Sequence, residues 1–183
     1  MDELDAAILA ELQRDGRQTN RELAEHLGIA PSTCLERVRS LRSSGVIEGF
    51  HAEVNLDAIG RPVQALINVR LHPKIREAVE GFRDYVAALP ETLAVFVVSG
   101  GDDFIIQVGV RDAGHLRDFV LDHVSRHRNI ADVRTSLVYD HIRKTSVEVL
   151  PPERPSRPRT GRDRRNPPRH AQVTNVNTRR PQR

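Results

Sequence analysis

The sequence lacks several residue types on which many small folds depend. Among its 183 residues there is no Trp, and there are only two Tyr, five Phe and a single cysteine, Cys34. One cysteine excludes an internal disulfide framework and a zinc site built from cysteines. Because aromatic side chains are scarce, the core must be built mainly from aliphatic residues.

Long hydrophobic runs are absent as well. No apolar run approaches the roughly 18 residues that are needed to span a bilayer. Residues 1–5 are acidic, whereas a signal peptide begins with basic residues. We therefore expect a cytoplasmic protein with no membrane partner.

Positive charge is concentrated at the C-terminal end. Residues 151–183 contain ten Arg, two acidic residues and seven of the eleven Pro. A segment this poor in large apolar residues cannot offset the entropy lost on ordering, so we expect a disordered basic tail over 146–183. The first 150 residues carry 18 basic and 23 acidic residues, so the net charge of +3 hides an acidic body. A basic tail attracts polyanions in a salt-dependent manner.

The first 60 residues contain the pattern of three helices. Apolar residues at every fourth position mark the first helix: Leu4, Ile8 and Leu12. Thr19 and Glu22 have the spacing of a capping box, which begins a second helix that ends at Gly28. Pro31 suits the first position of a third helix, which runs to about Ser44. Two helices joined by a tight turn are typical of a helix-turn-helix.

The third helix has one apolar side and one polar side. The apolar side contains Cys34, Leu35, Val38 and Leu41. Hydroxyl, carboxylate and guanidinium groups on the other side can bond to base edges and phosphates of double-stranded DNA. The DNA-binding candidates are Ser32, Thr33, Glu36, Arg37, Arg39 and Ser40, with Arg37 at the edge of the polar side. An ordinary solvated face of a three-helix bundle would show the same pattern, and the pattern alone leaves both interpretations open.

From residue 61 to 145 the pattern becomes strand, helix, strand, strand, helix, strand. The strands are expected at about 63–71, 93–98, 104–110 and 133–139. This order is the ferredoxin-like arrangement, in which both helices cover one face of an antiparallel sheet. The fold class is therefore α+β. It combines a winged-helix-like helix-turn-helix domain with a linker strand over 1–60 and a ferredoxin-like βαββαβ domain over 61–145.

The uncovered face of this sheet is expected to be apolar. Six of its outward positions are occupied by apolar residues: Leu66, Ala94, Phe96, Val98, Ile105 and Val138. An exposed apolar patch usually marks an interface, and a second copy of the sheet would cover it in a two-fold dimer. Such a dimer would present two recognition helices to half-sites about 34 Å apart.

Several short segments together resemble one family, the Lrp/AsnC or feast/famine transcription regulators. The segments are Arg-Glu-Leu-Ala at 21–24, Leu-Gly at 27–28, Cys-Leu-Glu-Arg-Val at 34–38, Gly-Val-Ile at 45–47 and Thr-Ser-Leu-Val at 135–138. The resemblance covers about residues 4–144. It implies a sequence-specific DNA-binding regulator that forms homodimers, and further tetramers or octamers, through its C-terminal domain. One departure is Ala30, which stands where many members have a serine that caps the third helix.

The resemblance also implies a small-molecule effector, an amino acid in many members, bound near the loop between the central strands. By position, the effector-binding residues would be Gly100, Asp102, Asp103, Thr135 and Ser136. Binding of the effector would change how the protein occupies DNA.

Other function classes have less support. His123 and His127 have a spacing that suits zinc, but apolar residues share their side of the helix, so we expect no metal site. We also expect no catalytic residues and no cofactor, and Cys34 should be a buried, inert thiol. The alternative that remains is a nucleoid-associated architectural protein that binds DNA with low sequence selectivity. The basic tail is compatible with this alternative.

Overall fold

The protein combines three N-terminal helices with a four-stranded antiparallel sheet and two further helices. The computed structural model describes residues 1–150. The expected α+β fold class is confirmed by this order of elements. The part of the expected basic tail from residue 151 onward lies outside the described residues.

The first three helices are α1 (Glu3–Arg14), α2 (Asn20–Leu27) and α3 (Pro31–Ser43). The predicted capping box at the start of α2 is confirmed, since the Thr19 hydroxyl accepts from the Glu22 N–H and the Glu22 carboxylate accepts from the Thr19 N–H. A second capping box, formed by Asp2 and Asp5, begins α1. Both boxes satisfy N–H groups that the first turn of a helix leaves without partners.

A small apolar core holds these helices together. Its buried members are Ile8, Leu23, Ala24, Cys34 and Leu41. The expectation that Leu35 also faces inward is wrong, because its side chain is 38% exposed. Successive residues on a helix are about 100° apart, so Leu35 lies well to one side of Cys34, at the edge of the contact with α1 and α2.

The segment between the helices and the sheet contains one short 3-10 turn, Asp57–Ile59. The linker strand that we expected within residues 1–60 is absent from the described chain, which is irregular from 48 to 55. A strand needs a neighbour to bond its backbone groups, and no described strand of this chain lies beside the linker.

The sheet consists of β1 (Val63–Leu71), β2 (Thr92–Val97), β3 (Phe104–Val110) and β4 (Ile130–Val138). Its spatial order is β2-β3-β1-β4, and all neighbouring strands are antiparallel. The connecting helices are α4 (Arg76–Ala87) and α5 (Ala113–Phe119), and α5 continues as a π-helical turn, Val120–Val124. We expected one regular helix in place of α5 and this turn.

Both helices pack on the same face of the sheet, as the ferredoxin-like arrangement predicts. The second core lies between them and the sheet, and its largest fully buried side chains include Phe82, Phe104, Ile67 and Ile106. The rings of Phe82 and Phe104 meet edge to face with centroids 5.0 Å apart. Apolar residues on the opposite, outer face remain partly or largely exposed, among them Leu66, Phe96 and Ile105. Val98, which we expected at an outward position of a strand, follows the end of β2 and has no partner in the register of β2 with β3.

Candidate functional site

The polar side of α3 is open to solvent. Five of its six DNA-binding candidates are exposed: Ser32, Thr33, Glu36, Arg39 and Ser40. No described residue forms an ion pair with Glu36 or Arg39, although both carry charge. We call these five residues the polar face of α3. They provide hydroxyl, carboxylate and guanidinium groups on one continuous helical surface.

The first turn of α3 has no side-chain cap, as the presence of Ala30 predicted. Pro31 occupies the first position, where the missing N–H costs nothing. Its carbonyl accepts a hydrogen bond of 2.8 Å from the Asn20 side chain, which links the start of α2 to the start of α3. Asn20 therefore fixes the geometry of the helix-turn-helix at the end nearest Ser32 and Thr33.

The sixth candidate, Arg37, is held by α1. Its guanidinium donates to the carboxylates of both Asp2 and Asp5, and the distance from Nη1 to Asp5 Oδ1 is 3.0 Å. The Asp5 N–H and the Arg37 guanidinium together lower the pKa of Asp2. The sequence pattern placed Arg37 at the edge of the polar side of α3. It gave no indication of these contacts, because Asp5 and Asp2 precede Arg37 by 32 and 35 positions in the chain.

The effector-binding candidates Asp102 and Asp103 have different partners. The Asp102 carboxylate accepts from Asn68 Nδ2 at 2.8 Å and from the Arg134 guanidinium, and these bonds lower its pKa. The Asp103 carboxylate accepts from Lys74 Nζ at 2.9 Å and from the Leu71 N–H at 2.8 Å. Burial acts to raise the pKa of Asp103, but its bonds to Lys74 and Leu71 outweigh burial, so that the pKa is lowered.

Of the remaining candidates, Gly100 lies in a turn, and Thr135 and Ser136 point to opposite faces of the sheet. Gly100 has a φ of 129°, which only glycine adopts readily, and it allows the turn between β2 and β3. Ser136 pairs with Leu66 and lies on the outer face, together with Asn68 and Arg134. Thr135 pairs with Ile67 and lies on the helix-covered side. The structure therefore groups Ser136 with the partners of Asp102 and separates Thr135 from them.

Asn68 and Arg134 were missed at the sequence level. They are direct cross-strand partners in β1 and β4. The polarity of Asn68 did not mark it as a partner of Asp102, because Gln64 and Arg70 are polar outward residues of the same strand. Arg134 carried no signal either, because its proximity to Asp102 depends on the strand order.

Cys34 and His127, which the sequence offered as a reactive thiol and a metal ligand, are both packed against other side chains. Cys34 is buried, and burial raises the pKa of its thiol, which disfavours the reactive thiolate. His127 packs against the rings of Phe82 and Tyr85, and burial lowers the pKa of its imidazole. Within residues 1–150 no cluster of three or more His, Cys, Asp or Glu side chains has a metal-binding arrangement. No helix in that range is both long and apolar enough to cross a membrane.

Two separate segments of the chain each match a known protein family. The winged helix-turn-helix DNA-binding family matches residues 1–48, and the Lrp/AsnC ligand binding domain matches residues 64–147. The HTH-type transcriptional regulator AldR of Mycolicibacterium smegmatis is 40% identical over 146 residues, which is 80% of this chain and 85% of AldR. The leucine-responsive regulatory protein of Rhizobium meliloti is 36% identical, over 81% of this chain and 96% of its own length.

Solved structures show the same fold in a protein with a bound ligand. A transcriptional regulator of Neisseria meningitidis, solved in complex with L-Met, superimposes with a TM-score of 0.74 at 33% identity. The superposition covers 80% of this chain and 94% of the Neisseria chain. The two matched domains, their order and these full-length relatives agree with the three-helix unit and the sheet described above. The chain belongs to the Lrp/AsnC family of DNA-binding transcriptional regulators.

Proposed function

We propose that the protein binds duplex DNA through the polar face of α3 and that an amino-acid effector, bound beside Asp102, changes this binding. The observation that carries the DNA-binding part is the exposed surface of five polar side chains on the second helix of a helix-turn-helix. A helix of this width enters the major groove, where such groups can reach base edges. DNA binding also supports an expected location in the cytoplasm, at the nucleoid.

The start of α3 supports contact with a phosphate. Because Ala30 provides no side-chain acceptor, no side chain caps the N–H groups of Ser32 and Thr33, and an external anion would meet these two groups. The partial positive charge at a helix N-terminus also favours an anion. A phosphate at this position would set the register of α3, while Arg39 and the hydroxyls contact the bases.

Arg39 is expected to contribute to specific DNA binding. Replacing Arg39 with alanine should weaken binding to a preferred duplex by about 1–3 kcal/mol, the range for a bidentate contact between a side chain and a base. The preferred duplex is obtained by selection from a random library with the unmodified protein, and affinity is measured by fluorescence anisotropy at fixed salt. Arg83→Ala, which removes an exposed arginine of α4, is the matched control. Equal affinities for all three proteins would show that the polar face does not include a base contact from Arg39.

The charges around Asp102 suit a zwitterion. An amino acid carries one carboxylate and one ammonium group, and the ion pair of Asp102 with Arg134 places a carboxylate beside a largely exposed guanidinium, with which an effector would exchange partners. Ser136 adds a hydroxyl on the same face. The bound L-Met of the Neisseria relative supports this class of effector. An effector that binds one arrangement of the protein better than another shifts the population toward that arrangement.

The effector proposal is tested by titration calorimetry with the twenty amino acids. At least one is expected to bind, and Asp102→Asn should weaken its binding about tenfold or more, because a charge-assisted hydrogen bond is lost. Asp118→Asn, which changes an exposed carboxylate of α5, should bind as the unmodified protein does. If no amino acid gives a heat of binding of either sign or changes DNA affinity, the effector is not an amino acid.

A second copy of the chain is the partner proposed for the outer face of the sheet. Phe96 is 50% exposed there and pairs with Ile105, and Leu66 lies on the same face. Contact with another sheet would remove this apolar surface from water. A homodimer could assemble further into a tetramer or an octamer. The two separate apolar cores support a division into domains at 1–60 and 61–145.

The alternative function is that of an architectural protein which packages DNA with little selectivity. The observation that favours it is the ten Arg of residues 151–183. The two functions differ in the ratio of affinities for a selected and a scrambled duplex at the same salt concentration. A regulator has a high ratio, whereas a packaging protein has a ratio near one.

A further inference from the structure

We propose that Arg37 is a positioning residue, which sets the orientation of α3 through the carboxylates of α1 and makes no contact with DNA. This proposal rests on the proposed function, since it assumes that the polar face of α3 reads the duplex. It changes the role that the sequence pattern suggested for Arg37.

The contact joins two elements that are otherwise held by a small core. Arg37 lies near the middle of α3, whereas Asp2 and Asp5 belong to the first turn of α1 and the residue before it. One guanidinium nitrogen donates to both carboxylates. The Asp5 side chain is only 15% exposed, so this end of the ion pair is sheltered from solvent.

The two carboxylates are held in place before Arg37 reaches them. Asp2 accepts from the Asp5 N–H at 2.9 Å, and Asp5 accepts from the Asp2 N–H at 3.0 Å. The reciprocal bonds fix both side chains relative to the axis of α1. An arginine bound to groups that are already immobile is itself held in one place, and so is the helix that carries it.

The position of Arg37 on α3 lets this contact control rotation of the helix. Cys34 and Leu41 are buried against α1 and α2, and Arg37 is one turn from each of them on the same side. A change in the rotation of α3 would pull the guanidinium away from Asp5. The same rotation would move the polar face relative to the groove that it enters.

Direct contact of Arg37 with DNA would be unfavourable for two reasons. The guanidinium would have to leave two charge-assisted hydrogen bonds. The carboxylates of Asp2 and Asp5 would then lose their partner in the neighbourhood of a negatively charged phosphate backbone. Both effects oppose binding, whereas a positioning role keeps the ion pair intact.

The experiment compares Arg37→Ala, Arg37→Lys, Asp5→Asn and the double variant Arg37→Ala/Asp5→Asn in the full chain. Asparagine at position 5 keeps an oxygen for the cap and removes the charge. Glu3→Gln is the matched control, because Glu3 lies in the same turn of α1 and forms no ion pair with a described residue. Affinities for the selected duplex and for a scrambled duplex are measured over a series of salt concentrations.

For a positioning residue, Arg37→Ala and Asp5→Asn should each reduce the affinity for the selected duplex about fivefold, and the double variant should be no worse than either single one. Affinity for the scrambled duplex and the salt slope should stay unchanged. Arg37→Lys, which keeps the charge, should recover part of the loss. Glu3→Gln should bind as the unmodified protein does.

Three other results would overturn the proposal. A direct DNA contact would lower the salt slope by about one unit in Arg37→Ala, and Asp5→Asn would then bind as tightly as before or more tightly. A purely structural role would lower the melting temperature and the affinity for both duplexes in equal proportion. Additive losses in the double variant would show that Arg37 and Asp5 act independently. Failure of the proposed function would be seen separately, because the unmodified protein would then select no preferred duplex.

Discussion

Replacing Ile8 with alanine is expected to lower the free energy of unfolding of the N-terminal helices by about 2–5 kcal/mol. Ile8 is fully buried in a core of five buried residues that joins α1 to α2 and α3. The smaller side chain leaves a cavity, and a core of this size has few neighbours that could move to fill it. Because the polar face of α3 depends on this core for its position, we expect DNA binding to be lost together with stability.

The measurement is chemical unfolding followed by far-UV circular dichroism, with DNA binding measured on the same samples. Ile142→Ala is the matched control, because it removes the same atoms from a side chain that is 92% exposed. A surface change of this kind should alter stability by less than about 0.5 kcal/mol. If the Ile8 and Ile142 variants were equally stable, the described packing of α1 would be incorrect.

Removal of residues 151–183 is expected to produce the largest change in the salt dependence of DNA binding. The segment carries ten Arg and two acidic residues, a net charge of +8. If every net charge neutralised one phosphate, the slope of log K against log salt would become less steep by up to about 7 units. Affinity for any duplex should fall strongly at low salt, while the preference for the selected duplex should remain. Binding to both duplexes over a salt series is the measurement.

A variant of full length with all ten Arg of this segment replaced by glutamine is the matched control. It should reproduce the loss of slope, because the effect depends on charge and not on chain length. If the deletion instead abolished the preference for the selected duplex, these residues would take part in sequence recognition. If neither variant changed the slope, the charge of the segment would have no part in DNA binding.

Local physical chemistry made most of the elements predictable from the sequence. The spacing of Leu4, Ile8 and Leu12 identified α1, and the capping box of Thr19 and Glu22 located the start of α2. Both signals can be recognised from residues within one to three turns of each other, without knowledge of the tertiary contacts. The alternation of apolar residues in β1 and β3 identified the buried face of the sheet for the same reason.

The contacts that define the candidate sites were less predictable. Arg37 reaches Asp2 across 35 positions of sequence, and Asp102 reaches Asn68 across 34. Each contact depends on how two elements pack, which no local pattern specifies. Leu35 shows the same limit, since its apolar character suggested burial but the position of the neighbouring helices left it at the edge of the core.

The sequence by itself determined the order and type of most of the elements, the α+β class, the polar side of α3 and the concentration of arginine after residue 150. Only the tertiary structure decided which charged groups on these elements have partners. It directs Arg37 to α1, leaves Arg39 in solvent and joins Asp102 to Arg134. The physical reason is that hydrophobic periodicity depends on neighbours in the chain, whereas an ion pair depends on the distance between elements that are far apart in sequence.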